Sequence, residues 1–151
     1  NDTDLWSAGP DAAFGIYPKI WNYTGAHLAK KSADFAAAYT KKHGGPPEAE
    51  GWQDWFGMTS ILTAIKETKS TDSAKLVGFL EEHKFEGYKD APIFFRNFDH
   101  QLVQPLLVAQ VKEKITDKYD YFDIKSEYPK DASALNAAYG SQAEIGCTFK
   151  A

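Results

Sequence analysis

The sequence predicts an α/β chain in which three helices come first and strands follow, with too few strands for a complete sheet. Apolar residues recur every three or four positions through the first half, which is typical of amphipathic helices. After Ile93 the pattern changes to short apolar runs and partial alternation, which favours strands. Three helices need an apolar surface to cover, and two or three strands offer little. This order fits a small α+β domain or the last part of a larger α/β protein.

Turn residues separate the three predicted helices. The first helix runs from His27 to Lys42 and stops at two glycines and two prolines, which prevent its continuation. The second helix spans Glu50 to Glu67. The third spans Ser70 to Lys84, with Thr71 or Asp72 as its N-cap. The apolar stripe predicted for the second helix consists of Trp55, Met58, Leu62 and Ile65.

Strands are predicted near the start and in the second half. The segment Ile16–Tyr17 is a short candidate, after a glycine- and proline-containing beginning that predicts a loop and a helical turn. Ile93 to Arg96 is another candidate, and Leu106 to Val111 is a stronger one because it is apolar and follows a proline. Tyr119 to Glu127 alternates in part, as a half-buried strand does. A short helix is predicted from Ala132 to Tyr139.

The composition is that of an ordinary globular chain. Of the 151 residues, 43% are hydrophobic and 25% are charged. The net charge of −4 disfavours nucleic-acid binding, which needs a clustered basic surface. The one cysteine, Cys147, allows no disulfide within the chain, and no apolar run is long enough to span a membrane. The first residues resemble neither a signal peptide nor a methionine start, so a mature chain and a fragment are both open.

An aspartate beside a histidine, Asp99-His100, is the first candidate for chemistry, and we interpret it as structural. Adjacent residues on an extended chain point to opposite faces, so Asp99 is badly placed to orient its neighbour's imidazole as a catalytic triad requires. No Gly-x-Ser-x-Gly elbow is present, and Cys147 is distant. We expect Asp99 to cap a turn and His100 to hydrogen-bond to backbone. The sequence predicts no catalytic residue.

Metal and cofactor sites are not predicted either. No two of the four histidines have helical i, i+4 spacing, and no His-Glu-x-x-His is present. Gly44-Gly45 precedes prolines rather than the Lys-Ser/Thr of a phosphate-binding loop, and no glycine fingerprint for a dinucleotide occurs. We therefore expect neither a metal nor a cofactor.

The aromatic segment that opens the second helix, residues 51–57, is the most unusual in the chain. All three of its aromatic residues can be core residues, which is our interpretation of Phe56. Trp52 and Trp55 share one side of the helix, and their indole N–H groups need polar partners. Both are therefore also candidates to line a ligand cleft.

Four segments, taken in order, resemble one family. The segment Ser-Ala-Gly-Pro-Asp-Ala-Ala-Phe-Gly, residues 7–15, resembles the crossing between lobes in periplasmic solute-binding proteins of the branched-chain amino-acid type. Residues 35–68 resemble that family's consecutive helices. Residues 94–112 resemble its Arg-x-x-Asp-His-Gln segment and the following Val-x-x-Val-Lys strand, and residues 119–149 resemble its C-terminal end. Together the four segments cover nearly the whole chain.

The resemblance implies the C-terminal portion of a two-lobed type I periplasmic-binding-protein fold. The sheets of that fold would be incomplete without the N-terminal part of the same protein. Residues 1–15 would be the end of the second lobe and a crossing, and residues 16–104 would belong to the first lobe. Residues 105–151 would be a crossing strand and a return to the second lobe.

The resemblance also implies site residues and a function. The protein would be the solute-binding component of an ABC importer, made with a signal peptide and acting in the periplasm. It would bind an amino acid or a small aromatic or branched carboxylate between hinged lobes and deliver it to a membrane permease. Trp55 stands where the family often has tyrosine, and Asp4 falls where relatives often have an aspartate. The implied ligand-binding residues are Trp55, Trp52, Trp6 and Asp4, and the implied hinge residues are Gly9, Pro10 and Gly15.

Two other functions remain open at this point. Relatives of this fold serve as ligand-sensing domains of receptors, and an aromatic-rich chain can be an interaction module. An enzyme is not predicted, because no nucleophile, acid–base pair or metal site has convincing spacing.

Overall fold

A computed structural model describes residues 1–25 and 27–148. The helices of the described residues are α1 (Asp2–Ala8), α2 (Lys30–His43), α3 (Ala49–Thr68), α4 (Ser73–Glu82), α5 (Ala132–Ala138) and α6 (Gln142–Ile145), with a 3₁₀ turn at Pro10–Ala12. The strands are β1 (Ile16–Lys19), β2 (Lys84–Phe85), β3 (Ile93–Phe95), β4 (Leu102–Val103), β5 (Leu106–Val111) and β6 (Phe122–Tyr128).

These elements confirm the predicted α/β class and the order of helices before strands. The three predicted helices are α2, α3 and α4, each shifted by one to three residues at its ends. Asp72 is the N-cap of α4, because its side chain accepts a hydrogen bond of 3.1 Å from the backbone N–H of Lys75.

The helix α1 was not predicted. Its signal lies in Asn1 and Asp4, which have the spacing of a capping box. The Asn1 side chain accepts from the backbone N–H of Asp4 at 2.9 Å, and this bond satisfies one of the free donors of the first turn. Because the helix has only seven residues, its apolar periodicity is too short to read.

Two small antiparallel sheets organise the chain. Sheet A has the order β1-β5-β6, and sheet B has the order β2-β3-β4. In sheet A, Pro18 pairs with Val108, and Leu106 pairs with Tyr128. Side chains alternate across β5, so Leu107 and Ala109 are buried while Leu106 and Val108 lie on the exposed face.

The buried face of α3 differs from the predicted stripe. Met58 and Leu62 are 60% and 57% exposed, so their predicted core positions are wrong. The helix instead buries a row of side chains at i, i+4 spacing, in which Ser60 is polar and Ala64 is small. A stripe search by hydrophobicity misses such a row, because the large aromatic residues at its start decide which face packs. The buried row is Trp52, Phe56, Ser60 and Ala64.

The outer face of α3 and one face of sheet A carry exposed apolar side chains. This agrees with the prediction of too few strands to cover the helices. The large apolar side chains that are exposed among the described residues are Phe14, Ile16, Met58, Ile61, Leu62, Leu106, Val108, Tyr128 and Ile145.

The last helices pack against the middle of the chain. Leu135 of α5 is fully buried against Ala91 and Val103. Arg96 donates a hydrogen bond of 2.5 Å to the carbonyl oxygen of Gly140. These contacts place residues 135–140 beside residues 91–103, and the predicted division of the chain between two lobes stays a prediction. Residues 149–151 of the predicted range 105–151 lie outside the described residues.

Candidate functional site

A groove of about 180 Å³ lies where the start of α1 faces the start of α3. The end of β1 forms its floor. Its lining combines charged and amide side chains with short apolar ones, which gives a ligand several polar groups to bind. We call it the α1–α3 groove, and its lining residues are Asn1, Asp2, Pro18, Lys19, Ile20, Ala49, Glu50 and Gln53.

A buried ion pair sits at the base of this groove. Lys19 Nζ donates to Asp2 Oδ1, and the two side chains are only 7% and 9% exposed. The same ammonium lies 4.2 Å from the ring centroid of Phe122, in cation–π contact. Burial lowers the pKa of Lys19, while the charges of Asp2, Glu50 and Glu48 act in the opposite direction. The pair therefore links α1 to β1, and each buried charge is stabilised by the opposite charge of its partner.

A second polar contact closes the groove at its side. Both the backbone N–H and the hydroxyl of Thr3 donate to Glu48 Oε2, at 3.2 and 2.6 Å. Glu48 is the N-cap residue of α3. The first turn of α1 is thus held to the residue that begins α3, 45 positions later in the chain.

The two predicted tryptophans of α3 lie beside the groove rather than in its lining. Trp52 has no exposed surface, and its indole N–H donates to Ser32 Oγ at 2.8 Å. Trp55 is half-buried and stacks on Phe35 with ring centroids 4.5 Å apart. The polar partner expected for Trp52 exists, but it belongs to the core. The groove meets this helix at Gln53 instead.

The predicted residues of α1 also lie outside the lining. Trp6 is half-buried and donates to the carbonyl oxygen of Tyr119 at 3.0 Å, with the two rings in edge contact at 5.1 Å. The Asp4 side chain is 81% exposed and belongs to the helix cap. The acidic residue of α1 that reaches the groove is Asp2, which sequence reasoning passed over together with Lys19.

The predicted hinge residues connect α1 to β1. Gly9 and Gly15 have φ values of 90° and 88°, a region that residues with a side chain rarely adopt. Pro10 opens the 3₁₀ turn between them. The carbonyl oxygen of Gly15 accepts from the backbone N–H of Val111 at 3.0 Å, which ties the end of this connection to sheet A.

The Asp99-His100 pair is a structural corner. Asp99 accepts from Nε and Nη2 on one edge of the Arg96 guanidinium and from the backbone N–H of Gln101 at 3.0 Å, which confirms the predicted turn cap. Burial favours the neutral acid, but the hydrogen bonds and charge of Arg96 outweigh it and lower the pKa of Asp99. His100 has a φ of 55°, and its Nε2 lies 2.7 Å from Glu81 Oε1. A carboxylate is therefore one partner of this ring, and the predicted hydrogen bond to backbone stays a prediction.

Two kinds of feature are absent from residues 1–25 and 27–148. No group of three or more histidine, cysteine, aspartate or glutamate side chains there is arranged to hold a metal ion. No helix in the same residues combines the length and apolarity needed to cross a membrane.

Comparison with known proteins identifies the fold. Residues 1–117 match the sequence model of a family described as periplasmic binding protein. The periplasmic ligand-binding protein of a branched chain amino acid ABC transporter from Burkholderia xenovorans LB400 is 20% identical, with a TM-score of 0.79 over 95% of this chain and 37% of that one. A comparison with curated proteins found no match.

Two further solved structures share the arrangement. The solute binding protein of an ABC transporter from Rhodopseudomonas palustris BisB5, in complex with 3,4-dihydroxybenzoic acid, is 20% identical. Its TM-score is 0.67 over 81% of this chain and 32% of that one. The leucine-, isoleucine-, valine-, threonine- and alanine-binding protein from Brucella ovis, in its closed conformation, is 23% identical. Its TM-score is 0.66 over 82% of this chain and 33% of that one.

The chain spans about a third of the length of these structures. At identities between 20% and 23% the likeness concerns the fold, which is part of a type I periplasmic-binding fold. The family model covers more than three quarters of the sequence, since it matches residues 1–117 of 151. The chain therefore belongs to the periplasmic binding protein family, whose members bind solutes and are not enzymes.

Proposed function

We propose that this chain is the C-terminal part of an extracytoplasmic solute-binding protein that serves an ABC importer. The α1–α3 groove takes part in binding an amino acid or a small aromatic or branched carboxylate, and the loaded protein delivers it to a membrane permease. The observation that carries this proposal is the groove itself, in which α1 and the start of α3 face each other across the end of β1. The precursor carries a signal peptide, and the mature protein acts in the periplasm.

The contacts across the groove suggest how binding and closure are linked. The bond from Thr3 to Glu48 joins α1 to α3, and the bond from Lys19 to Asp2 joins α1 to β1. In our proposal α1 belongs to one lobe and α3 to the other, and the connection through Gly9, Pro10 and Gly15 is the hinge. A solute that contacts both sides favours the closed form by its difference in affinity for the closed and open forms.

The charges of the groove distinguish two classes of ligand, amino acids and simple aromatic carboxylates. Lys19 is already paired with Asp2, while Glu50 is exposed at the rim and has no ion-pair partner within the part of the chain that the structure describes. An amino acid brings an ammonium group that Glu50 attracts, and a simple aromatic carboxylate brings only a negative charge that Glu50 repels. Neighbours of this fold are known with both kinds of ligand, 3,4-dihydroxybenzoic acid in one and aliphatic amino acids in the name of another.

The experiment is a thermal-shift and calorimetry screen of the whole protein, stripped of bound solute, against amino acids and small aromatic carboxylates. A ligand that binds the native state raises the melting temperature by mass action. For an amino-acid ligand, Glu50→Gln should weaken binding by about fivefold to tenfold, and for a simple carboxylate it should strengthen binding. Glu67→Gln, an exposed change at the other end of α3, is the matched control and should leave the affinity unchanged.

Delivery needs a separate readout, because a ligand-sensing receptor domain would bind solute just as well. Uptake of the radiolabelled ligand by cells should depend on the protein and fall with Glu50→Gln in proportion to affinity. Tight binding without any effect on uptake would instead favour the sensing role. No shift with any compound, in protein shown to be folded, would count against solute binding by this groove.

A further inference from the structure

We propose that Tyr119 and Gly45 form a latch that holds the two lobes together around a bound solute. The latch rests on the function proposed above, which assigns α1 and α3 to different lobes, and it adds the residues that set how long a solute stays. Tyr119 lies in the loop between β5 and β6, residues 112–121. Gly45 lies in the connection between α2 and α3, residues 44–48.

Two separate apolar clusters lie on either side of this contact. Trp6 of α1 and Ile115 of the 112–121 loop pack against the cluster that covers sheet A. Phe35 of α2 and Trp55 of α3 pack against another cluster, and within residues 1–25 and 27–148 the two have no member in common. Close-packed side chains move together. A contact between these two bodies can therefore form and break without disturbing either core.

The backbone of Tyr119 is fixed to the α1 side of the contact. Its carbonyl oxygen accepts from the indole N–H of Trp6 at 3.0 Å, and the two rings meet edge to face with centroids 5.1 Å apart. Its backbone N–H donates to Asp117 Oδ1 at 2.9 Å, which closes a turn at the tip of the loop. The phenol is thus held in position by its own side of the contact, and a group positioned in advance loses little conformational entropy when a further contact forms.

Gly45 leaves open the surface that the Tyr119 phenol approaches. A Cβ atom at position 45 would lie 3.1 Å from Tyr119 Oη and 3.3 Å from Tyr119 Cζ, closer than ordinary van der Waals contact. The φ of Gly45 is not in the left-handed region, so the backbone itself does not require glycine here. The close approach of the phenol is the feature that excludes a side chain.

A second contact joins the same two bodies at the same connection. The hydroxyl of Thr3 in α1 donates to Glu48 Oε2 at 2.6 Å, and Glu48 follows Gly45 by three positions. Residues 44–48 therefore receive two groups from the α1 side. One ring on one glycine is weak beside an apolar core, so the latch shifts the balance between closed and open forms without preventing release.

The experiment measures the closed fraction and the rate of solute dissociation in the whole protein. Fluorophores at Lys66→Cys on α3 and Lys125→Cys on β6 report the distance between the two bodies, after the natural cysteines, Cys147 among them, are replaced by serine. Single-molecule energy transfer gives the closed fraction, and stopped flow gives the dissociation rate. Gly45→Val should lower the closed fraction and make the solute leave about fivefold to tenfold faster, because its side chain takes the place of the phenol.

A matched control and a second latch variant separate the latch from general damage. Gly57→Val adds the same side chain on α3 where a Cβ meets nothing within 4 Å, so it should change neither measurement. Tyr119→Ala should act in the same direction as Gly45→Val. The double variant should release solute no faster than Tyr119→Ala alone, because no ring remains for the valine to meet.

The outcomes distinguish the latch from the function on which it rests. If a solute binds and Gly45→Val changes neither the closed fraction nor the dissociation rate, the latch is wrong and solute binding stands. Effects of Gly45→Val and Tyr119→Ala that simply add would also overturn the latch. If no solute binds, the proposed function fails, and the ligand-free protein still decides the latch. One distance shared by the natural chain and Gly45→Val would then overturn it, and a lower closed fraction in the variant would support it.

Discussion

The ammonium group of Lys89 donates a hydrogen bond of 2.6 Å to the carbonyl oxygen of Pro105. The same group donates to the carbonyl oxygen of Ile20 at 2.5 Å. Ile20 directly follows β1 and Pro105 directly precedes β5, so one buried side chain joins the ends of two neighbouring strands. Burial lowers the pKa of Lys89 to about 7, although the charge of Glu127 acts in the opposite direction.

This relationship predicts a pH-dependent stability. Between about pH 7 and pH 10.5 the unfolded chain holds the Lys89 proton and the folded chain releases it. Stability attributable to Lys89 therefore rises with pH across that window and is lowest below it. Neutral Lys89 still has two N–H groups for the two carbonyl oxygens, so its hydrogen bonds survive the loss of charge.

The variant Lys89→Met removes this contribution. We expect the loss of unfolding free energy relative to the natural chain to grow from pH 6.5 to pH 9, by at most about 1.4 kcal/mol per pH unit. Urea denaturation at several pH values measures it, and Lys66→Met, an exposed change on α3, is the control with no such trend. A destabilisation that is equal at both ends of the range would contradict the buried, deprotonating ammonium.

The ion pair between Asp2 and Lys19 predicts a strong coupling. Because both side chains are nearly buried, Asp2→Asn or Lys19→Met alone leaves one charge without its partner. Each single change should cost about 3 kcal/mol, and the double variant should cost clearly less than the sum of the two. Chemical denaturation of the four proteins gives the coupling free energy.

An exposed pair provides the comparison for that cycle. Lys30 and Asp34 form an ion pair at 2.6 Å with side chains 84% and 64% exposed. Solvent screens this pair, so its coupling should stay below about 0.5 kcal/mol. Similar coupling for the two pairs would show that burial of the Asp2–Lys19 pair does not strengthen it.

The connection between α1 and β1 predicts a backbone effect without a packing effect. Gly9 and Gly15 have positive φ values, and an added Cβ meets nothing within 4 Å at either position. Alanine at each should therefore cost about 1–2 kcal/mol through backbone strain alone. Gly57 lies inside α3, also with open space around it, and Gly57→Ala should stabilise by about 0.5–1 kcal/mol. If all three alanine variants behave alike in thermal denaturation, the left-handed backbone at Gly9 and Gly15 is wrong.

The sequence could predict the local elements but not the groove. The helices α2, α3 and α4 follow from periodicity and turn residues that lie within each segment. The side of α3 that packs is decided by partners elsewhere in the chain, so its periodicity alone places Met58 and Leu62 wrongly in the core. The groove depends on a contact such as that from Thr3 to Glu48, which joins residues 45 positions apart. Neither residue carries a local signal of that contact.

Because Trp52 is buried, changing it should lower the stability of the fold without changing ligand affinity. Phenylalanine at this position removes the indole N–H that donates to Ser32 Oγ. It also leaves space beside Trp21, whose ring stacks on that of Trp52 with centroids 5.9 Å apart. Trp52→Phe should therefore cost about 2–3 kcal/mol of unfolding free energy. Because Trp52 has no exposed surface, ligand affinity at a temperature where the variant is folded should stay within about twofold of the natural value.

Trp55→Phe is the matched variant for that measurement. Trp55 is half-buried against Phe35 and Tyr88, and its indole N–H has no hydrogen-bond partner among residues 1–25 and 27–148. The stability loss should therefore be below about 1.5 kcal/mol. Calorimetric titration of both variants with the solute found in the screen decides between two roles. If Trp52→Phe weakens ligand binding tenfold while Trp55→Phe does not, Trp52 reaches the ligand and this packing of α3 is not the one that binds solute. If only Trp55→Phe weakens it, the aromatic wall of the cleft is Trp55, and Trp52 is the core residue that holds α3 in place behind it.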